Sequence, residues 1–243
     1  VHLSDGISPP TATTWALPSV GYNIYAAWSA ATRTWYFEGI TFYGGSYGGI
    51  GGGGRADHYI YAKNCKQYFS QRAGFRITGG NTIFQNCVSA WNPLDDGFSY
   101  RADGTVLVYS VEIDCIGYKN GWNATSKINN NGSTTHDGNK IIRLRTKSWG
   151  NTGPNFADVS TGTESWNMDC VGYASESAAG NLGPVDFGFN AGNVKVWLDS
   201  CRGYSSAKTA IFGTTTDVVA AKVRNCNFEV AAEVGASSEK TTY

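Results

Sequence analysis

Two short phrases put ionisable side chains where bond-breaking chemistry could be done. "LDDGFSY" (94–100) carries Asp95 and Asp96, and "TTHDGNK" (134–140) carries His136, one of three histidines, beside Asp137. Two carboxylates held close together cannot both ionise easily, so one keeps its proton near neutral pH. Such a pair supplies the acid and the base or nucleophile that cleavage of a glycosidic bond requires. Asp158 joins these four as a catalytic candidate. Clustered carboxylates could alternatively hold Ca²⁺; no C-x-x-C pair supports zinc, and no other cofactor is read from the chain. Arg143 and Arg145 of "IIRLRTK" (141–147) carry guanidinium groups suited to the carboxylate of an acidic sugar. Trp91, Trp122 and Trp149, with Tyr118, offer aromatic faces for pyranose rings. Each residue also has a plainer reading: Asp-Gly is a common turn whose Asp caps the bend, His136 a solvent-exposed bystander, and a loop tryptophan usually shields the core.

What would position these side chains is a repeat. Cys65, Cys87, Cys115, Cys170, Cys201 and Cys226 are spaced by 22, 28, 55, 31 and 25 residues. The value 55 is near twice the others, so a unit without cysteine fills that gap, with Leu144 in the cysteine's place. Each cysteine closes a strand-like run such as "YIYAKNC" or "SVEIDC", and three are followed by one residue and Gly-Tyr. A period of about 22–30 residues rich in strands and turns marks a solenoid. Amphipathic windows of helical period are lacking, which leaves parallel strands stacked at about 4.8 Å. "AGFRITGG", "DDGFSYRADG", "HDGNKIIR" and "VDFGFNAG" read as a second strand per coil, and Gly-Tyr as a bend with a stacked aromatic. The cysteines are expected to stack inward as free thiols, because side-by-side Cβ vectors disfavour disulfides. Counted from cysteine to the glycine at the start of the second strand, Cys115 to Gly138 spans 23 residues, against 9 from Cys65 to Gly74 and 10 from Cys87 to Gly97. The segment 119–138 is thus an insertion, and long loops on a rigid scaffold commonly carry function. If "DDG" and "HDG" are in register, Asp96 and Asp137 stack one coil apart, a spacing that suits a retaining glycosidase.

Taken together, these runs resemble right-handed parallel β-helix proteins of the pectate-lyase-like superfamily, including bacteriophage tailspikes and related polysaccharide-degrading enzymes, over roughly residues 35–230. The resemblance implies an all-β, single-stranded right-handed parallel β-helix of about seven coils. Residues 1–34 would form a lead-in or cap and 231–243 a tail. It further implies a protein at the virion surface or outside the cell that cleaves a polysaccharide, by hydrolysis or β-elimination, in a groove along the helix. The alternative on the same scaffold is a non-catalytic glycan-binding receptor or adhesin module. The Asn-Thr-Asp, Asp-Asp, Gly-His-Gly, Arg-Ile-Lys series of polygalacturonases is reduced to "DD" and a loose "RLRTK", so pectin is not singled out as substrate.

Composition narrows the rest. The 243 residues are enough for one large domain, and 31 glycines fit many tight turns. Nineteen basic against nineteen acidic residues gives no basic surface for nucleic acid. No apolar run reaches the roughly 18 residues of a membrane span. The start at Val1 and a C-terminal "EVGASSEKTTY" without a capping element lead us to expect a piece of a longer protein, or a subunit of a homotrimer as the tailspike resemblance implies.

Overall fold

The structure, a computed structural model, describes residues 21–26, 32, 34–53, 57–102, 107–124, 130–176, 185–190, 194–206, 211–212, 218–229 and 241–242. Three parallel sheets run along the molecule. Sheet A contains Tyr22–Ala26, Gly48–Gly53, Phe75–Thr78, Phe98–Arg101, Ser133–His136, Phe156–Val159, Phe187–Asn190 and Ile211–Phe212. Sheet B contains Thr34–Glu38, Tyr59–Lys63, Asn81–Gln85, Tyr109–Ile113, Lys140–Leu144, Glu164–Met168, Val194–Asp199, Val218–Arg224 and Thr241–Thr242. Sheet C contains Thr41–Tyr43, Lys66–Tyr68, Val88–Ala90, Ile116–Tyr118, Lys147–Trp149, Val171–Tyr173, Arg202–Tyr204 and Asn227–Phe228. The chain visits A, B and C in turn eight times, so it forms eight coils, one more than the repeat count suggested. Pairing also starts earlier and ends later than residues 35–230: Tyr22 pairs with Gly48, and Thr241 with Lys222.

Sharp corners between sheets B and C make this geometry possible. In coils two to eight the corner begins with Asn64, Asn86, Asp114, Arg145, Asp169, Ser200 or Asn225, all at φ between 52° and 56°. Asn and Asp tolerate this left-handed conformation better than other side-chain-bearing residues. The next residue points inward, and in six coils it is cysteine. All six cysteines are free thiols, as expected. Four of the sulfurs, those of Cys87, Cys115, Cys170 and Cys201, donate to carbonyls one coil back, as from Cys115 Sγ to Phe84 O at 3.3 Å and Cys201 Sγ to Asn167 O at 3.3 Å. A thiol is thus small enough for the corner and still satisfies a carbonyl.

Two expectations need correction. Gly-Tyr is not a bend but most of a third strand, Gly117-Tyr118 lying in Ile116–Tyr118. Because Ile113 pairs with Leu144, the residue in register with Cys115 is Thr146, not Leu144. A corner residue between strand and thiol was overlooked, which shifts the unit by two positions.

A second set of interior contacts secures the turn from sheet C back to sheet A. Asn92 Nδ2 donates to Asn120 Oδ1 at 2.8 Å, and Asn120 Nδ2 to Asn151 Oδ1 at 2.9 Å. All three are buried. Inside the tube, one apolar cluster with Phe75, Phe84 and Phe98 fills the first coils, and another with Phe156, Phe187 and Leu198 the last. Between them lies a band of buried polar groups: Glu112, Ser133, Arg143, Asp158 and Asn167.

Candidate active site on the outer face of sheet A

Strand alternation decides which of the candidate residues reach solvent. In sheet A, Phe75, Ile77, Phe98 and Tyr100 point inward and are buried, so Arg76, Thr78, Ser99 and Arg101 point outward. Arg101 pairs with Thr78 on one side and His136 on the other. Ser99 sits between Arg76 and Thr134 in the neighbouring row of the same face. The Thr134 hydroxyl and His136 Nε2 share a hydrogen bond of 3.1 Å. Arg76 Nη1 lies 4.0 Å from Asp95 Oδ2, a pair that is partly exposed. The result is a compact outer patch of two guanidinium groups, one imidazole and one carboxylate.

The electrostatics of this patch follow from its composition. Partial burial, and then the positive charges of Arg101 and Arg76, push the His136 imidazole down to about 3. It is therefore neutral across the physiological range. Arg101 Nε is buried and has no hydrogen-bond partner. A buried, unsatisfied guanidinium donor is costly unless something binds it.

The other anticipated residues are placed differently. Asp96 is buried, and its Oδ1 accepts from Asn131 N at 2.8 Å and Asn131 Nδ2 at 2.9 Å, so it pins the end of the long loop 119–132. Burial, and then the charge of Asp95, raise its carboxyl well above the usual range. Asp96 and Asp137 do not stack. Register aligns Phe98 with Ser133, so Asp96 precedes one strand of sheet A while Asp137 follows the next. Asp137-Gly138, both at positive φ, form the corner from A to B, with Asn139 N donating to His136 O at 3.2 Å. A two-strand coil had merged the A and B strands and placed this turn at the wrong end.

Arg143 and Asp158 are fully buried inside the tube, where Nη2 meets Asp158 Oδ1 at 2.9 Å. Neither faces a groove. Arg145 is exposed but lies at the B-to-C corner, in a two-point pair with Asp114 at 2.7 and 2.8 Å. Asp114 is held below the usual carboxylate range mainly by that pair.

The aromatic candidates do gather, though on sheet C and its adjoining loops. Tyr118 stacks on Trp149 at 4.7 Å, Trp149 on Tyr173 at 5.4 Å and Tyr173 on Tyr204 at 4.9 Å, with interplanar angles of 8° or less. Trp91 meets Tyr118 edge-on, and Trp122 Nε1 donates to Trp91 O at 3.2 Å. The stacked rings spend their faces on each other, so the row reads as outer cladding. Of the four candidates Trp91, Tyr118, Trp122 and Trp149, the more exposed are Trp91 and Trp122, at 39% and 52%.

Calcium does not fit the placement of the carboxylates: Asp95 is engaged by Arg76, Asp96 by Asn131, and Asp137 lies at the far end of the sheet. Among the described residues no three His, Cys, Asp or Glu side chains converge. Sequence reading missed Arg76 and Arg101. Their signal was the Phe-x-aliphatic/aromatic-x pattern of "FRIT" and "FSYR", in which the second and fourth residues must face outward.

The sequence matches no known protein family and no curated protein. Among solved structures, the pectate lyase Pel9A superposes with a TM-score of 0.53 at 9% identity, over 90% of this chain and 68% of that one. With three parallel sheets and no helix among the described residues, the protein is a right-handed parallel β-helix, the fold it shares with that lyase.

Proposed function

We propose that the protein cleaves an acidic polysaccharide by β-elimination on the outer face of sheet A. The observation that carries this reading is the adjacent pair Arg101 and His136, with Arg76 in the next row and Arg101 Nε buried without a partner. A uronate carboxylate seated over the two guanidinium groups would satisfy that donor. Its binding would also make the proton on the neighbouring carbon more acidic, because positive charge stabilises the developing enolate. The same carboxylate offsets the charges that depress His136 and so raises the basicity of the imidazole when substrate is present. In the tautomer whose Nε2–H donates to the Thr134 hydroxyl, Nδ1 is the lone pair that would accept the proton. The freed electron pair forms a carbon–carbon double bond, the glycosidic C–O bond at the next carbon breaks, and the leaving oxygen takes a proton from solvent. Likeness of fold to a pectate lyase supports this reaction class.

The test is incubation with a panel of uronate-containing polysaccharides, following reducing ends and the ultraviolet absorbance of unsaturated uronates. Both signals should appear and both should vanish in Arg101→Gln and His136→Gln. Reducing ends without absorbance would mean hydrolysis and return attention to Asp95. Glycan binding with neither signal would make the protein a non-catalytic recognition module.

A further inference from the structure

The outer face of sheet B holds an aromatic slot that the proposed reaction does not use. Register places Asn81 between Tyr59 of the preceding coil and the residue preceding Ser110, Tyr109, in the next. All three point outward, because Ile60, Thr82 and Ser110 beside them are buried. Tyr59 and Tyr109 are 40% and 52% exposed. Two coils at about 4.8 Å each separate the two tyrosine positions by about 9.6 Å. The short Asn81 forms the floor, its Oδ1 accepting from Tyr109 N at 3.0 Å. Ile83, Val111 and Leu107 complete a shallow cavity.

Among the described residues, several other aromatic rows close on themselves. Trp166 stacks on Trp197 at 4.7 Å further along sheet B, and the row on sheet C stacks coil upon coil. Sheet C even has the same kind of interruption, Ala90 between Tyr68 and Tyr118. There the gap is covered: Ala90 is wholly buried and Trp91 packs against Tyr118. At Asn81 the described residues leave a shallow cavity, and among them neither Tyr59 nor Tyr109 stacks on another ring. A ring inserted midway would sit about 4.8 Å from each tyrosine, within the range of favourable aromatic contact. Among the described residues no charged side chain lines the slot, in contrast to the two arginines on sheet A.

From this we infer that the Tyr59–Asn81–Tyr109 slot is a secondary, non-catalytic binding site for one neutral hexopyranose unit of a glycan. Tyrosine faces would cover the two C–H faces of the sugar, with hydroxyl groups left at the open rim. The choice of a sugar over other neutral rings rests on the reading that the protein handles polysaccharides. The binding itself is independent of turnover.

The experiment is titration calorimetry of the full chain with neutral hexose oligosaccharides, namely cello-, manno- and galacto-oligosaccharides, alongside uronate turnover. The wild type should bind at least one series. Tyr109→Ala should weaken that binding about tenfold, the scale of a lost aromatic contact. Tyr59→Phe, which keeps the ring, should leave it within about twofold. Asn81→Tyr should abolish binding by closing the stack while still giving the wild-type circular-dichroism spectrum and a cooperative melt, which separates site loss from misfolding. None of these variants should change turnover. Absence of binding in the wild type overturns the inference, as does binding that survives both Tyr109→Ala and Asn81→Tyr. A change of oligomeric state in Asn81→Tyr without sugar binding in the wild type would reassign the slot to self-association. Loss of uronate turnover alone would count against the reaction and not against the slot.

Discussion

At the scale of single residues, two titrating groups pull the stability of the fold in opposite directions with pH. His136 is held down to about 3 by burial and by Arg101 and Arg76. As pH falls through the ordinary histidine value of about 6.5, the unfolded chain takes up this proton and the folded one does not. Stability is therefore lost from about pH 6.5 downward, until about pH 3. Asp186 behaves the other way. Burial pushes its carboxyl up to about 6, although Ser206 Oγ and Asn155 Nδ2 both donate to Oδ1 at 2.6 and 2.8 Å. Here the folded state binds the proton first, so this group gains stability as pH falls through 6 toward its ordinary value. Asp186→Asn keeps the Oδ1 acceptor and removes a buried charge whose Oδ2 has no partner. It should stabilise the protein by about 1 kcal/mol at pH 7.5 and change little at pH 5. His136→Gln should flatten the acid loss of melting temperature between pH 7 and 4. Thermal unfolding of the three proteins across that range measures both effects, and parallel curves would refute them.

At the scale of the element, the coil is defined by its corners more than by its strands. Asn120 accepts from Asn92 Nδ2, donates to Asn151 Oδ1, and its Oδ1 also receives Asn92 N at 3.3 Å. Asn120→Ala takes the acceptor from Asn92 N and the shortest of three from Asn92 Nδ2, which still reaches Ser89 Oγ, and should cost about 1–3 kcal/mol. Denaturant unfolding should show a lower midpoint at unchanged slope, and an Asn120 variant of wild-type midpoint would show the ladder to be dispensable. This ladder was legible in principle. Asn92, Asn120 and Asn151 recur at intervals of 28 and 31 residues, the same coil lengths the cysteines mark. The cysteines drew attention because they are rare and close obvious apolar alternations, whereas asparagine in a turn-rich chain looks like surface. That is also why fold class and inward thiols could be read from sequence while the register of "HDG" could not. Asp-Gly is as good a turn leaving a strand as entering one, and only backbone pairing decides between them. The site suffered most from this ambiguity. His136 lies on the outer face at the end of its strand and Asp95 meets Arg76 at the opposite end, while the arginines meant to accompany them, Arg143 and Arg145, gave way to Arg76 and Arg101.

For the whole molecule, the interior polar band raises the question of how one tube holds together. The two apolar clusters meet at the coils that contain Glu112, Arg143 and Asp158. Arg143 is tied there on every side: Nε to Ser133 Oγ at 2.9 Å, Nη1 to Asn167 Oδ1 at 3.1 Å, Nη2 to Asp158 Oδ1 at 2.9 Å. Ser133 Oγ in turn donates to Glu112 Oε1 at 2.6 Å. Burial lifts the Glu112 carboxyl above its ordinary value despite the nearby Arg143 charge. A solenoid's cooperativity depends on each coil's contact with the next, and beside the backbone pairing this guanidinium and its partners link the side chains of the two halves inside the tube. Ion pairs of this kind are seldom the most stable filling of a core, yet breaking one strands a buried charge. Arg143→Met should therefore destabilise the protein by about 3–5 kcal/mol and expose the junction amides to hydrogen exchange before those of either apolar cluster. The triple variant Glu112→Leu, Arg143→Met, Asp158→Leu removes all three charges and should recover most of that loss. Recovery would mean that the band sets the register between the two halves without supplying the stability of the fold. A triple variant as weak as the single one would mean instead that the guanidinium's neutral partners, Ser133 and Asn167, carry the coupling, since they would then be the buried groups left unsatisfied.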